Sequence, residues 1–137
     1  MRKKICLWSC PRNVSTALMY SFRERPDTLV FDEPLYAHYL SVSGAKHPGR
    51  ENTLISQEND GDKVIQNIIL GDYQKHCFFK LMTHFLVNIN KDFLQKVTNI
   101  IFIRDPKEIR THIPIQIFGR MVRTNTGTGD LIRTKYN

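Results

Sequence analysis

A chain of 137 residues with 41% hydrophobic content can close one domain around a real core, although it is small for a two-sided α/β enzyme. Its apolar runs stop short of the roughly 18 to 20 residues that span a bilayer. MRKKICLWSC is followed at once by Pro11 and Arg12, too early a break for a signal peptide, so a soluble, cytoplasmic protein is expected.

The net charge of +7 suits anionic ligands from nucleotides to nucleic acid without choosing among them. It is unevenly placed: residues 1–108 hold 15 Lys/Arg against 12 Asp/Glu, whereas residues 109–137 hold 5 against 1. Cys6, Cys10 and Cys77 form neither a CxxC pair nor a His-Cys cluster at zinc-ligand spacing. Reduced thiols, no metal, and a buried Cys6 and Cys77 are expected.

In chain order, Ile5 to Ser9 reads as a short buried strand ending before Pro11, and an apolar face at helical spacing begins at Ser15 and ends in RERP. A second strand, TLVFDE, stops at Pro34, where PLYAHYL resumes a helical pattern. SVSGAKHPGREN carries loop signals, and ENTLISQEND and GDKVIQNIIL read as two helical pieces parted at Asp60-Gly61. HCFFKLM and TNIIFI are the third and fourth strands, with NKDFLQKV as a helix between them. Strands alternating with helices predict an α/β fold with a mainly parallel sheet and flanking helices. Ligands of such sheets gather beyond the carboxyl ends of the strands, which here are CPRNVST, DEP, KLMTH and RDP.

The first of these, between a strand and a helix, has the makings of an anion site. A helix N-terminus presents unpaired N–H groups and a positive dipole end; Arg12 adds a forked cation, and Ser15 and Thr16 add hydroxyl donors. The same residues are open to a plainer account, in which Ser15 caps the helix and Arg12 is solvated. The GxxxxGK[ST] pattern is absent, and with it the lysine that reaches the terminal phosphates in ATP and GTP hydrolases. In IFIRDPKEI a second arginine, Arg104, follows a strand; it either joins Arg12 on one rim to hold two anionic groups or pairs with Asp105 or Glu108.

The ordered set PRNVSTALMYSF, DTLVFDEPLYAHYL, HPGRE and NIIFIRDPKEI resembles the P-loop-fold sulfotransferases, particularly the bacterial-type group, over about residues 5 to 108. The resemblance implies 3′-phosphoadenosine 5′-phosphosulfate as donor, no metal, and sulfuryl transfer to an acceptor hydroxyl or amine of unknown identity. It places the 5′-phosphosulfate on Pro11, Arg12, Asn13, Val14, Ser15 and Thr16, with Arg12 balancing charge on the bridging oxygen, and the 3′-phosphate on Arg104. Such transfer needs positioning, charge stabilisation and a base. Glu33 is the first candidate base, ahead of Asp32 and His84; against this stand a capping role for either acid and a packed, half-exposed role for the histidine. Lys80 either contacts the ligands or snorkels from the sheet, and His47 and Arg50 are acceptor-side candidates.

Three departures qualify the resemblance. Val14 stands where many members have glycine, which leads to the expectation that the turn uses ordinary backbone angles. Leu81 replaces a histidine after the strand lysine. His112 stands where members place a serine, and the resemblance ends at Ile109. The chain therefore reads as a donor-binding domain over 1–108 followed by a divergent, poorly ordered basic tail over 109–137, as a truncated or frame-shifted gene would produce. An open sheet edge and an incomplete acceptor pocket are expected consequences. The competing classes are a catalytically inactive fragment retaining the anion site, and a P-loop nucleotide kinase or NTPase. Direct nucleic-acid binding is disfavoured, because the surplus charge sits in the tail without interleaved aromatics.

Overall fold

Four parallel strands form one sheet in the order β2-β3-β1-β4 in a computed structural model that describes residues 1–105. In chain order the elements are β1 (Lys4–Ser9), α1 (Ser15–Arg23), β2 (Thr28–Asp32), α2 (Tyr36–Ser43), α3 (Arg50–Ser56), α4 (Gly61–Val64), β3 (His76–Met82) and β4 (Thr98–Ile101). They belong to a unit spanning Met1–Ile103, and Arg104 opens a second unit. The tail expected from residue 109, with His112 in it, lies outside the described residues. The α/β architecture with a parallel sheet is the one anticipated.

Alternation along the buried strands divides the core in two. Cys6, Trp8, Cys77, Phe79 and Leu81 face one side, where Leu35, Val64, Ile65, Ile69, Phe85 and Phe93 cover them. Leu7 and Phe78 face the other, beneath Met19 of α1, with Phe22 stacked on Phe78 at 4.1 Å. A strand buried on both faces carries the continuous apolar run seen in HCFFKLM, and each large side chain so buried contributes about 1.5–3 kcal/mol. Both Cys6 and Cys77 are buried as free thiols, and burial pushes the Cys6 pKa up to about 12.

Registers run Lys4↔Cys77 to Ser9↔Met82 between β1 and β3, and Thr28↔His76 to Asp32↔Lys80 between β2 and β3. These pairings bring Ser9, Met82 and Asp32 to one end of the sheet, the carboxyl rim.

Two connections differ from the pattern in the sequence. Residues 90–97 do not form an α-helix: they make a short 3-10 turn, Asp92–Lys96, in which only Phe93 is buried. Asn90 starts it by accepting the Asp92 N–H at 2.9 Å, and too few residues remain before β4 for a longer helix. After α4 the backbone widens into a π-turn over Ile65–Ile69, closed by Leu70 N–H on Ile65 O at 2.8 Å, which delivers Ile65 and Ile69 to the core.

A buried histidine joins these connections. The Gly61 N–H donates to His38 Nδ1 at 3.1 Å, and His38 Nε2 lies 2.8 Å from Val87 O, so the ring carries its proton on Nε2. A Cβ on Gly61 would come within 2.6 Å of Ile89 Cγ2 and 2.8 Å of His38 Cγ. Gly61→Ala is therefore expected to destabilise the chain by about 1–3 kcal/mol in urea unfolding; an unchanged midpoint would show that the contact relaxes freely.

Candidate functional site

The turn between β1 and α1 is built on buried hydroxyls. Ser9, the last residue of β1, and Ser15, the first of α1, are 2% and 4% exposed, and their hydroxyl oxygens lie 3.2 Å apart. The Ser9 hydroxyl also lies 3.2 Å from Leu81 O, which pins the strand end to β3. Ser15 thus directs its hydroxyl into the protein, and it does not cap α1: the N-cap position is Val14, with no side-chain cap.

Asn13 is buried to 1%. Its Oδ1 accepts the Ser15 N–H at 3.3 Å, and its Nδ2 donates to Phe102 O at 3.2 Å, tying the turn to the chain leaving β4. The Asn13 side chain is thus the staple of the turn.

Val14 does not use ordinary backbone angles. Its φ of 58° and ψ of 19° are left-handed, as is the φ of 64° at Arg12. The expectation drawn from its β-branch failed because the isopropyl group, 60% exposed, meets no wall, while Asn13 holds the backbone on both sides. A left-handed residue followed by a right-handed one turns successive N–H groups to the same side, forming an anion-binding nest. The N–H groups of Asn13, Val14 and Thr16 make no hydrogen bond with any described residue. Arg12 is exposed.

At the end of β2, Glu33 also has a positive φ, 50°, which lets its N–H continue the ladder to Lys80 O at 2.9 Å. Neither Asp32 nor Glu33 caps α2, whose N-cap residue is Leu35 without a side-chain cap. Both acids grip Lys80 Nζ, Asp32 Oδ1 at 3.0 Å and Glu33 Oε1 at 2.6 Å. The Lys80 side chain is only 6% exposed, so it does not snorkel to water. Burial disfavours its charge, but the hydrogen bonds and charges of Glu33 and Asp32 outweigh burial and hold its pKa above the ordinary lysine value.

Beyond β3, His84 stands edge-on to Tyr39 at 4.8 Å and to Phe85 at 4.7 Å, and burial lowers its pKa. Tyr36 meets Phe85 at 5.5 Å and the His47 ring edge-on at 5.6 Å. Arg50 donates from Nη2 to Leu40 O at 3.2 Å. Arg104 follows β4 in sequence and opens the second unit.

The structure therefore groups Arg12 to Thr16 in one turn, and Asp32, Glu33 and Lys80 in one ion cluster. Sequence reasoning missed Tyr36 and Tyr39, although their i,i+3 spacing directly after DEP marks one face of a helix. Among the described residues no helix is long and apolar enough to cross a membrane, and no three His, Cys, Asp or Glu side chains converge as a metal site would require.

Glycine at position 14 would take the left-handed conformation at no steric cost, whereas a left-handed L-residue costs roughly 1–2 kcal/mol. Val14→Gly is expected to stabilise the chain by about 0.5–1 kcal/mol in chemical denaturation once the extra unfolded-state freedom of glycine is offset. A loss of stability would show that the valine side chain supports the turn.

Residues 3–116 match the family model described as "Sulfotransferase domain". Two curated proteins of Arabidopsis thaliana are each 38% identical to the chain: branched-chain-amino-acid aminotransferase-like protein 2 over 104 residues and protein 1 over 106 residues. Each alignment covers 74% of this chain and 19% of the plant protein, so the chain spans about a fifth of their length. No solved structure matches.

Proposed function

The chain belongs to the sulfotransferase domain family, and from that premise we propose that it binds 3′-phosphoadenosine 5′-phosphosulfate and transfers its sulfuryl group to an acceptor hydroxyl or amine. The observation carrying this reading is the left-handed turn at Arg12 and Val14 directly before the start of α1. Its N–H groups supply fixed donors that need no reorganisation as charge develops, and Arg12 adds a cation. Pro11, Asn13 and Ser15 shape this cradle, while Val14 and Thr16 offer N–H groups to the 5′-phosphosulfate. Arg104 is assigned the 3′-phosphate on the family pattern.

The proton of the acceptor needs a base. Glu33, the first choice from sequence, is engaged by Lys80 at 2.6 Å, a contact that suits holding charge and geometry at the rim. His84, kept neutral by burial, has a lone pair for the proton at neutral pH. We assign His84 as the base and Glu33, with Lys80, as the group that shapes the site. Because the pKa of His84 lies below its ordinary 6.5, activity should be flat above pH 6.5 and fall as pH drops through the lowered value. His84→Gln should remove that acid limb and lower kcat by about 10²-fold or more. An acid limb that persists in His84→Gln moves the base elsewhere.

Calorimetry tests the donor directly. Adenosine 3′,5′-bisphosphate should bind at least about tenfold tighter than AMP, and Arg12→Ala should weaken both by a similar factor. Arg104→Ala should erase the preference for the bisphosphate. Equal affinity for the two nucleotides would sink the two-phosphate reading. Catalysis by the chain itself is tested by labelled sulfate transfer; binding without transfer would favour a donor-binding fragment.

A further inference from the structure

His38 and His84 are held in opposite ways. His38 commits both ring nitrogens, accepting the Gly61 N–H at 3.1 Å and reaching Val87 O from Nε2 at 2.8 Å. His84, in the middle of the short 3-10 turn Thr83–Phe85 that follows β3, hydrogen-bonds no described residue through either nitrogen. The carbonyl or carboxylate that ordinarily fixes a working imidazole is thus lacking among the described residues.

Aromatic rings take its place. Tyr39 of α2 stands edge-on to His84, with centroids 4.8 Å apart and planes at 80°, and Phe85 flanks the imidazole at 4.7 Å and 70°. Tyr39 and Phe85 lie 5.3 Å from each other, so the three rings close a triangle. Its supports are fixed: Phe85 is 1% exposed, and the Tyr39 N–H is bonded within the helix to Leu35 O at 3.0 Å. Edge-to-face contacts are directional, so two of them restrict the plane of the imidazole as well as its place. The Tyr39 ring suffices for this, because its hydroxyl hydrogen-bonds no described residue.

Burial rather than a neighbouring charge lowers the His84 pKa. The titratable groups around it are engaged elsewhere. On α2, His38 is bonded as above and Tyr36 meets Phe85 and His47; on the sheet, Lys80 is taken up by Asp32 and Glu33. Held by rings alone, the neutral imidazole keeps an uncommitted lone pair in either tautomer.

We infer that Tyr39 is a positioning residue for His84: its ring, with Phe85, fixes the imidazole plane and keeps water from one side of it, in place of a hydrogen-bonded partner. The consequence for catalysis rests on the assignment of His84 as base in the sulfotransferase reading above. The hold itself rests on the three rings.

The test is NMR of the 137-residue chain labelled at histidine, with the His84 signals identified by their loss in His84→Gln and followed through a pH titration. Cross-peaks should join the Tyr39 ring protons to His84, and the His84 midpoint should lie below 6.5. Tyr39→Phe should keep that midpoint. Tyr39→Leu should raise it toward 6.5 as water reaches the imidazole. The acid limb of sulfate transfer should move up with it, and kcat should fall about tenfold or more. Tyr39→Met gives the same reading should the leucine variant not fold. Missing cross-peaks, or a midpoint unchanged in the leucine or methionine variant, overturn the inference. So does a midpoint moved equally by Tyr39→Phe, which would give the effect to the hydroxyl. A midpoint that moves in a chain whose acid limb survives His84→Gln removes His84 as the base and leaves the hold of Tyr39 on it standing.

Discussion

Asn13 is 1% exposed and uses both ends of its side-chain amide on the backbone, accepting from Ser15 and donating to the carbonyl of Phe102. These bonds fix the chain on either side of Val14, so a β-branched residue is held in a left-handed conformation that it would otherwise avoid. The direction of the turn's N–H groups follows from this, as does the junction between β1, α1 and the end of β4. The strain is local and small beside the burial that surrounds it: Ser9 and Ser15 close the turn from below, and Leu7, Met19 and Phe78 anchor both flanking elements.

A second constraint is electrostatic. Lys80 lies in the middle of an apolar strand, where an unpaired ammonium would be costly. Asp32 and Glu33 neutralise it from the end of the neighbouring strand. The cluster joins β2 to β3 beyond their backbone ladder and holds Glu33 where its charge reaches Tyr36. Two carboxylates on one ammonium leave a net negative charge at the rim beside a cationic turn.

Much of this was legible in the residues. The strand limits of HCFFKLM, the break before Gly61, the parallel sheet and the turn at 10–16 follow from apolar runs and their punctuation, because a doubly buried strand and a surface helix need different periods. The short turn at 92–96 was misread as a helix, since Asn90 competes locally for the backbone. The roles of Asn13 and Lys80 were hidden for another reason: their partners lie 89 and 47 to 48 positions away.

The sequence by itself determined which segments become strands and the family to which the chain belongs. Those properties depend on residue type and near-neighbour order. Only the tertiary structure decided that Asn13 supports the turn, that Val14 is left-handed, that Lys80 is clamped between two acids, and that Tyr36 and Arg50 keep buried donors unpaired. A hydrogen bond is defined by distance and direction, and parallel pairing brings together residues whose separation along the chain carries no mark of their contact.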